Sequence, residues 1–434
     1  MRVETVKVGV IPSTSPSAAY ASDLARLNRS GPIGPSDDSW LLLAHALHRF
    51  GDLSDAELEL ALPNLADTLA VNAISSGLSA QSPVLRCAQA LRALNEVVVL
   101  AGGNEPVMEL FVATQAVAEA EELAGAYGLA YVTLSALMRA FSARASPRLR
   151  GHVMAQLGRA ARQIGANDVA QEMYEDAMQI GYDADALDVV ARALLGLGVL
   201  ALTRGNFPGS REQFERALVN AEQATDPELI RAAHHGLLHC GIASGDLDSA
   251  LVHGWNVLRL CIAPDSRAEA LVNMAEICRL CGEHDAAMRV FSMAMEWTSQ
   301  PHVRLHAMSG ALQSAVSANH LSVARHYVAE LEKLLPTMPN SFTRASVGVE
   351  IADSLYRLGD TAAARIQLED SRTLAASNAY HEVVHRAEQT ARTWDLEKAP
   401  KVQVIADRRR TRTSRSENVR MVLRSLKGLT SATP

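Results

Sequence analysis

The sequence predicts an all-α fold in which helical hairpins repeat along the chain. Three observations carry this: a small turn residue recurs at near-constant spacing, small and large side chains recur at fixed offsets from it, and the composition suits close helix packing. Of 434 residues, 48% are hydrophobic but only 4% aromatic, so the core is drawn largely from Ala, Leu and Val. Such residues, with few β-branched runs, favour packed helices over sheets.

The turn residues are Gly128, Gly165, Gly205, Gly245, Gly282, Asn319 and Gly359, separated by 37, 40, 40, 37, 37 and 40 residues. A change of three residues is close to one helical turn, so a helix lengthens while its apolar face keeps its phase. Gly or Asn fits a left-handed position just past a helix end. Seven residues before the turn stand Gly158, Gly198, Ala275 and Ala352, small enough for two helices to cross closely. Five after it stand Ala170, Ser210, Ala250, Ala287, Ala324 and Ala364; nine after it come the large fillers Tyr174, Phe214, Phe291 and Leu368. Two positions depart from the pattern: Gly254 stands where a large filler belongs, and Glu121 where a small residue does.

This pattern resembles the tetratricopeptide repeat (TPR) over roughly Trp40 to Ala376, with bacterial regulatory TPR proteins as the nearest type. The resemblance implies a right-handed α-solenoid of about eight to nine TPR-like helix-turn-helix repeats. In order, residues 1–38 read as a flexible, Pro/Gly/Ser-rich lead-in, and 39–378 as the solenoid. Trp40, Leu43, Ala44, Gly51 and Ala56 mark its first unit, and the stretch from Pro63 to Gly103 is degenerate. Residues 379–396 read as a C-terminal capping helix covering the last repeat, and 397–434 as a basic tail with a short amphipathic helix.

Composition excludes several classes. Five cysteines, an odd number in a long chain, argue against a disulfide framework. No apolar run approaches the ~18 residues of a membrane span, and the N-terminus lacks the continuous apolar stretch of a signal peptide. A cytoplasmic protein is expected. Only five of the 41 basic residues are lysines, the bias of a GC-rich, bacterial coding genome.

Two strings imitate metal sites. His381, Glu382 and His385 spell H-E-x-x-H, in which two histidines one helical turn apart hold zinc and the Glu activates its water. Glu388 and Ala391 stand where the extended motif needs Gly and His. Tyr380, Val383, Val384, Ala387, Ala391 and Trp394 form an apolar stripe suited to a capping helix, so a zinc peptidase is the minor alternative. Cys278, Cys281 and His284 lack a second ligand pair, and Cys278 falls at an inward register position where a small hydrophobe is wanted. No nucleotide-binding or nucleophile-elbow motif is found, so no catalytic residue, metal or other cofactor is assigned.

In TPR arrays the first helix of each pair lines the concave surface. Carried over about three, six, ten and thirteen residues before each turn, that rule selects Arg159, Arg162, Arg192, His235, His239, Glu276, Arg279, Gln313, Asp353 and Tyr356. Arginines dominate the earlier half, so the expected partner is a protein or peptide segment of acidic character, held through bidentate hydrogen bonds. The segment from Lys401 carries nine Lys/Arg against Asp407 and Glu417, a charge of +7, which leaves −14 on the remainder of a chain of net −7. Its Arg408, Arg409, Arg410, Arg412 and Arg415 are the candidate contacts for nucleic acid or an anionic surface, the second functional reading. A homo-oligomer is compatible with either.

Overall fold

A computed structural model of the chain describes residues 105–123, 127–338, 342–378 and 380–398, with isolated positions 66, 67, 70 and 87–89 before them. The expected lead-in, the first repeat unit and the tail beyond Lys398 lie outside the described residues. All regular structure among the described residues is helical. The bounded helices are α1 (Glu105–Leu123), α2 (Tyr127–Phe141), α3 (Pro147–Gln163), α4 (Asn167–Asp183), α5 (Leu187–Thr203), α6 (Phe207–Gln223), α7 (Pro227–Ser244) and α8 (Leu247–Leu260). They continue with α9 (Pro264–Leu280), α10 (His284–Trp297), α11 (Pro301–Ser317), α12 (Leu321–Leu334), α13 (Phe342–Arg357), α14 (Thr361–Ser377) and α15 (His381–Lys398). Taken two at a time, α1/α2 through α13/α14 are seven hairpins, and α15 follows them. The fold is an all-α array of TPR-like repeats.

At five of the turns, small residues close the first helix with paired 6→1 and 5→2 hydrogen bonds. At the first, Ala166 N donates to Ala161 O (2.9 Å) and Gly165 N to Arg162 O (3.0 Å). The same pair of bonds recurs at Gly205, Gly282, Asn319 and Gly359. Gly165, Gly205, Gly245, Gly282 and Gly359 take φ between 74° and 90°, and Asn319 takes 61°. A Cβ is strained there, which is why glycine recurs. Just beyond, the side chains of Asn206, Asp246 and Asp360 accept from the backbone N–H groups of Gly209, Ser249 and Ala363, starting the second helices. Asp185 and Thr225 also take positive φ, 51° and 52°, in turns between hairpins that the sequence pattern did not mark.

One register assignment is corrected. Gly128 lies inside α2, one residue past its start at Tyr127, and is not a turn residue. Small residues are still buried on both helices, Ala118 on α1 and Ala130 on α2. Glu121 is fully buried, and Thr133 Oγ1 of α2 donates to its Oε1 (3.2 Å).

The small–large pattern is a set of ring-to-backbone contacts. A Cβ on Gly158 would meet the Tyr174 ring at 2.7 Å, and one on Gly198 the Phe214 ring at 2.6 Å. Two fillers also press on the next hairpin: a Cβ on Gly196 would sit 2.2 Å from Tyr174, and on Gly310 2.2 Å from Phe291. These second small positions, nine before the turn, were not read from the sequence. At Gly254 the filler comes from the opposite side, where Met274 Sδ (2.5 Å) and Leu238 Cδ1 (3.0 Å) occupy the space. Volume is conserved while its source changes, as close packing requires. Each buried ring contributes roughly 1.5–3 kcal/mol.

The described chain divides into two compact units, residues 1–229 and 230–434. In the first, Tyr174, Ala161, Ala170 and Leu200 form one buried cluster. In the second, cores centre on Phe291, Met274 and Leu271 and, further along, on Leu312, Ile351 and Trp394. Here α15 packs on α13 and α14 as a further first helix would. Its Val383, Ala387 and Trp394 are buried while His381, Glu382 and His385 stay exposed. Trp394 stacks on Tyr356 at 4.5 Å and 4°, and its Nε1 donates to Asp353 Oδ1 (3.1 Å).

Candidate functional site

In the second unit, residues on the first helices α7, α9, α11 and α13 line a recess of about 390 Å³. The helical repeat directs one polar face of each toward it. His235 comes from α7; Glu269, Asn273, Glu276 and Arg279 from α9; His302, His306 and Gln313 from α11; and Glu350 from α13. Phe291 reaches the recess because Gly310 has no side chain to cover it.

The polar groups are tied to one another. Arg279 holds Glu276 through both carboxylate oxygens, at 2.8 and 2.5 Å. That hydrogen-bonded pair raises the arginine's affinity for its proton above the ordinary value. Glu350 Oε2 accepts from Ser309 Oγ (2.6 Å) and Gln313 Nε2 (3.1 Å). His235 Nε2 lies 3.2 Å from His239 Nε2 and 3.3 Å from the Asn273 amide. Burial, then the neighbouring His239 and Arg231, push His235 down to about 4, and burial lowers His239 as well. His306 is also lowered by burial, which outweighs the opposing pull of Glu350. At neutral pH these three imidazoles are uncharged, so they offer hydrogen bonds rather than positive charge.

Of the ten residues selected from the register, the recess brings together His235, Glu276, Arg279 and Gln313, with His239 touching His235. Asp353 and Tyr356 do not line it; they receive Trp394 of α15. Arg159, Arg162 and Arg192 belong to the first unit. There Arg159 meets Glu122 at 2.5 Å, and Arg162 hydrogen-bonds to Tyr174. Burial raises the Glu122 carboxyl, with Arg159 opposing. Arg192 is exposed, and among the described residues it forms no ion pair. Close by, Asp188 takes Arg148 at 2.8 Å and His152 at 2.9 Å. Burial opposes ionisation of Asp188, but the Arg148 hydrogen bond and the neighbouring His152 hold it below the usual range. Arg408, Arg409, Arg410, Arg412 and Arg415 lie outside the described residues.

Sequence reasoning missed Glu269 and His306, although both stand thirteen before their turns, a position already taken to face the groove. It missed Asn273 and Glu350 because they stand nine before, the position otherwise used by Gly196 and Gly310. His302 had no register signal.

The metal-like strings separate in space. His381 and His385 are exposed, and His385 Nε2 lies 2.7 Å from the Gln389 amide. Cys278 is buried in the core, its thiol pushed up by burial to about 12. Elsewhere, His234 Nδ1 lies 3.0 Å from His253 Nδ1. Among the described residues, no three His, Cys, Asp or Glu side chains converge as a metal site, and no helix is long and apolar enough to cross a membrane.

No protein-family model matches the chain, and no curated protein matches it. Its fold is similar to that of aspartyl phosphate phosphatase F from Bacillus subtilis, at TM-score 0.51 and 9% identity over 79% of this chain and 95% of the other. Weaker likenesses include a Rap protein complexed with competence and sporulation factor (TM-score 0.49, 12% identity, 83% and 99% covered). Another is the Rap conjugation gene regulator of plasmid pLS20 with the Phr* peptide (TM-score 0.47, 12% identity, 83% and 98% covered). The first likeness shows a shared all-α, TPR-type repeat fold, and at that identity nothing more.

Proposed function

We propose that this chain is a cytoplasmic regulator that binds a peptide or protein segment on the first-helix face of its second unit and performs no catalytic step of its own. One observation carries the reading: four successive first helices deliver nine polar side chains to a single recess with an aromatic ring at its base. A recess shaped by side chains of several repeats reads an extended segment, because neighbouring repeats offer hydrogen bonds at regular intervals. Its groups are paired with each other, as Arg279 with Glu276, which suits recognition rather than proton transfer.

The expectation of an acidic partner draws no support from this recess, where the one lining arginine is already neutralised. In the first unit, the exposed Arg192 is the arginine that still suits an acidic contact. The test is capture from the native host with the full chain and with an Asn273→Ala/Gln313→Ala variant. Neither side chain is part of a buried core, so the fold should be kept. Capture by the wild type that disappears in the variant supports the reading. Equal capture by both, at equal melting temperature, overturns the recess as the binding site.

A further inference from the structure

We propose that Arg386, on the capping helix α15, is a tethered competitor for Glu350, which lines the recess, and that the ligand is a segment whose Lys or Arg side chain displaces it from Glu350. The inference rests on the binding role proposed for the recess and adds the ligand's chemistry and a means of response.

The lining carries three carboxylates, Glu269, Glu276 and Glu350, against one permanent cation, Arg279. Arg279 spends its hydrogen bonds on Glu276 and acts on Glu350 only through its charge, without a hydrogen bond or ion pair to it. The lining histidines with a resolved shift are held neutral by burial, so they do not restore the balance. Two carboxylates therefore lack a matching cation within the lining. A partly buried carboxylate without one bears an uncompensated desolvation cost. Arg386 meets that need only in part. Its Nη1 stands 3.8 Å from Glu350 Oε1, beyond hydrogen-bond distance, while its Nη2 donates to Ser346 Oγ. Its buried Nε has no hydrogen-bond partner among the described residues.

The guanidinium thus has a claim on Glu350 without satisfying it. Glu350 Oε2 is filled by Ser309 and Gln313, whereas Oε1 faces Arg386 alone at ion-pair range. An incoming ammonium or guanidinium that approached Oε1 at ordinary hydrogen-bond distance would form the stronger, charge-assisted contact. Arg386 is 38% exposed, so its side chain can swing out to water. Glu269, the second carboxylate without a close cation, is more exposed than Glu350 and is paired only loosely with His302 at 3.9 Å. Displacement would remove one of the polar ties between α15 and α13. Ligand entry would then be felt by the helix that leads into the basic tail.

The probe is a randomised octapeptide pool passed over the immobilised full chain, with the retained peptides sequenced by mass spectrometry. Lys and Arg should be enriched on the wild type over Gln and Glu. Retention of those peptides should rise about two- to fivefold for Arg386→Gln, the range expected on removing a partly exposed competing ion pair. Enrichment should vanish for Glu350→Gln. Should that variant melt early, amide exchange on the wild type decides, since basic peptides should speed exchange in residues 383–394. Peptides retained without basic enrichment, yet lost in Asn273→Ala/Gln313→Ala, would leave the binding reading standing and overturn this inference. Basic peptides held equally by Arg386→Gln would overturn the tethered competitor. No retention of any peptide would overturn both.

Discussion

Lowering the pH from 7.5 to 5 should loosen the second unit around α7 and α9, and His235 sets the size of the effect. In the fold its imidazole is half-buried, in contact with His239 and Asn273, with Arg231 on the same helix, and it titrates at about 4. Unfolded, a histidine titrates near 6.5. Between those values the unfolded chain binds a proton that the folded chain refuses, so stability is complete above about pH 6.5 and falls as pH drops toward 4. For one such group the loss from pH 7.5 to 5 is about 2 kcal/mol, with roughly 3 kcal/mol as its limit at lower pH. His239, His306 and, in the first unit, His152 shift in the same direction and add to the trend. A repeat array opens in segments, so the readout should be local. Amide exchange across α7 and α9 should accelerate about thirtyfold per 2 kcal/mol after correction for intrinsic rates. His235→Gln, which keeps a polar side chain but cannot charge, should remove most of the pH dependence. Equal protection at pH 5 and 7.5 in the wild type, or an unchanged pH slope in His235→Gln, would refute the reasoning.

Two further perturbations test the packing. Gly205→Ala, at φ 74° with open space around it, should cost about 1 kcal/mol through backbone strain alone, whereas Gly310→Ala drives a methyl to 2.2 Å from the Phe291 ring and should cost 1–3 kcal/mol or more. Paired thermal melts separate these, and equal losses would deny the ring-on-glycine contact. Trp394→Ala should destabilise the second unit by about 3–5 kcal/mol through loss of its buried ring, while His385→Ala should change stability by less than about 0.5 kcal/mol. A large loss in the second variant would mean that H-E-x-x-H does more than occupy the outside of a cap.

Much of the fold was legible because the features that specify it are local. Gly165, Gly205, Gly245, Gly282, Asn319 and Gly359 could be read as turns since only small residues take a left-handed position cheaply, and their backbone angles agree. Gly128 misled because Gly alone does not distinguish a turn from a helix interior. The next hairpin's small positions, Gly196 and Gly310, went unread because their meaning depends on a ring from the preceding hairpin. For the same reason, the exchange of filler between Gly254 and Met274 looked like a defect in the repeat.

The site was less legible than the fold. Register placed His235, Glu276, Arg279 and Gln313 on the same kind of helix face, and the structure gathers them in one recess. It also sent Asp353 and Tyr356 to that face, where Trp394 covers them. Spacing along one helix fixes which direction a side chain points, so the sequence by itself determined the hairpins, their turns and the candidate face. That Arg159 is paired with Glu122, that burial keeps His235 neutral beside Asn273 and that α15 reaches toward Glu350 depend on residues about 36 to 38 positions apart. Only packing brings those groups within ångströms, and so only the tertiary structure turned an expected basic groove into a recess with carboxylates in excess.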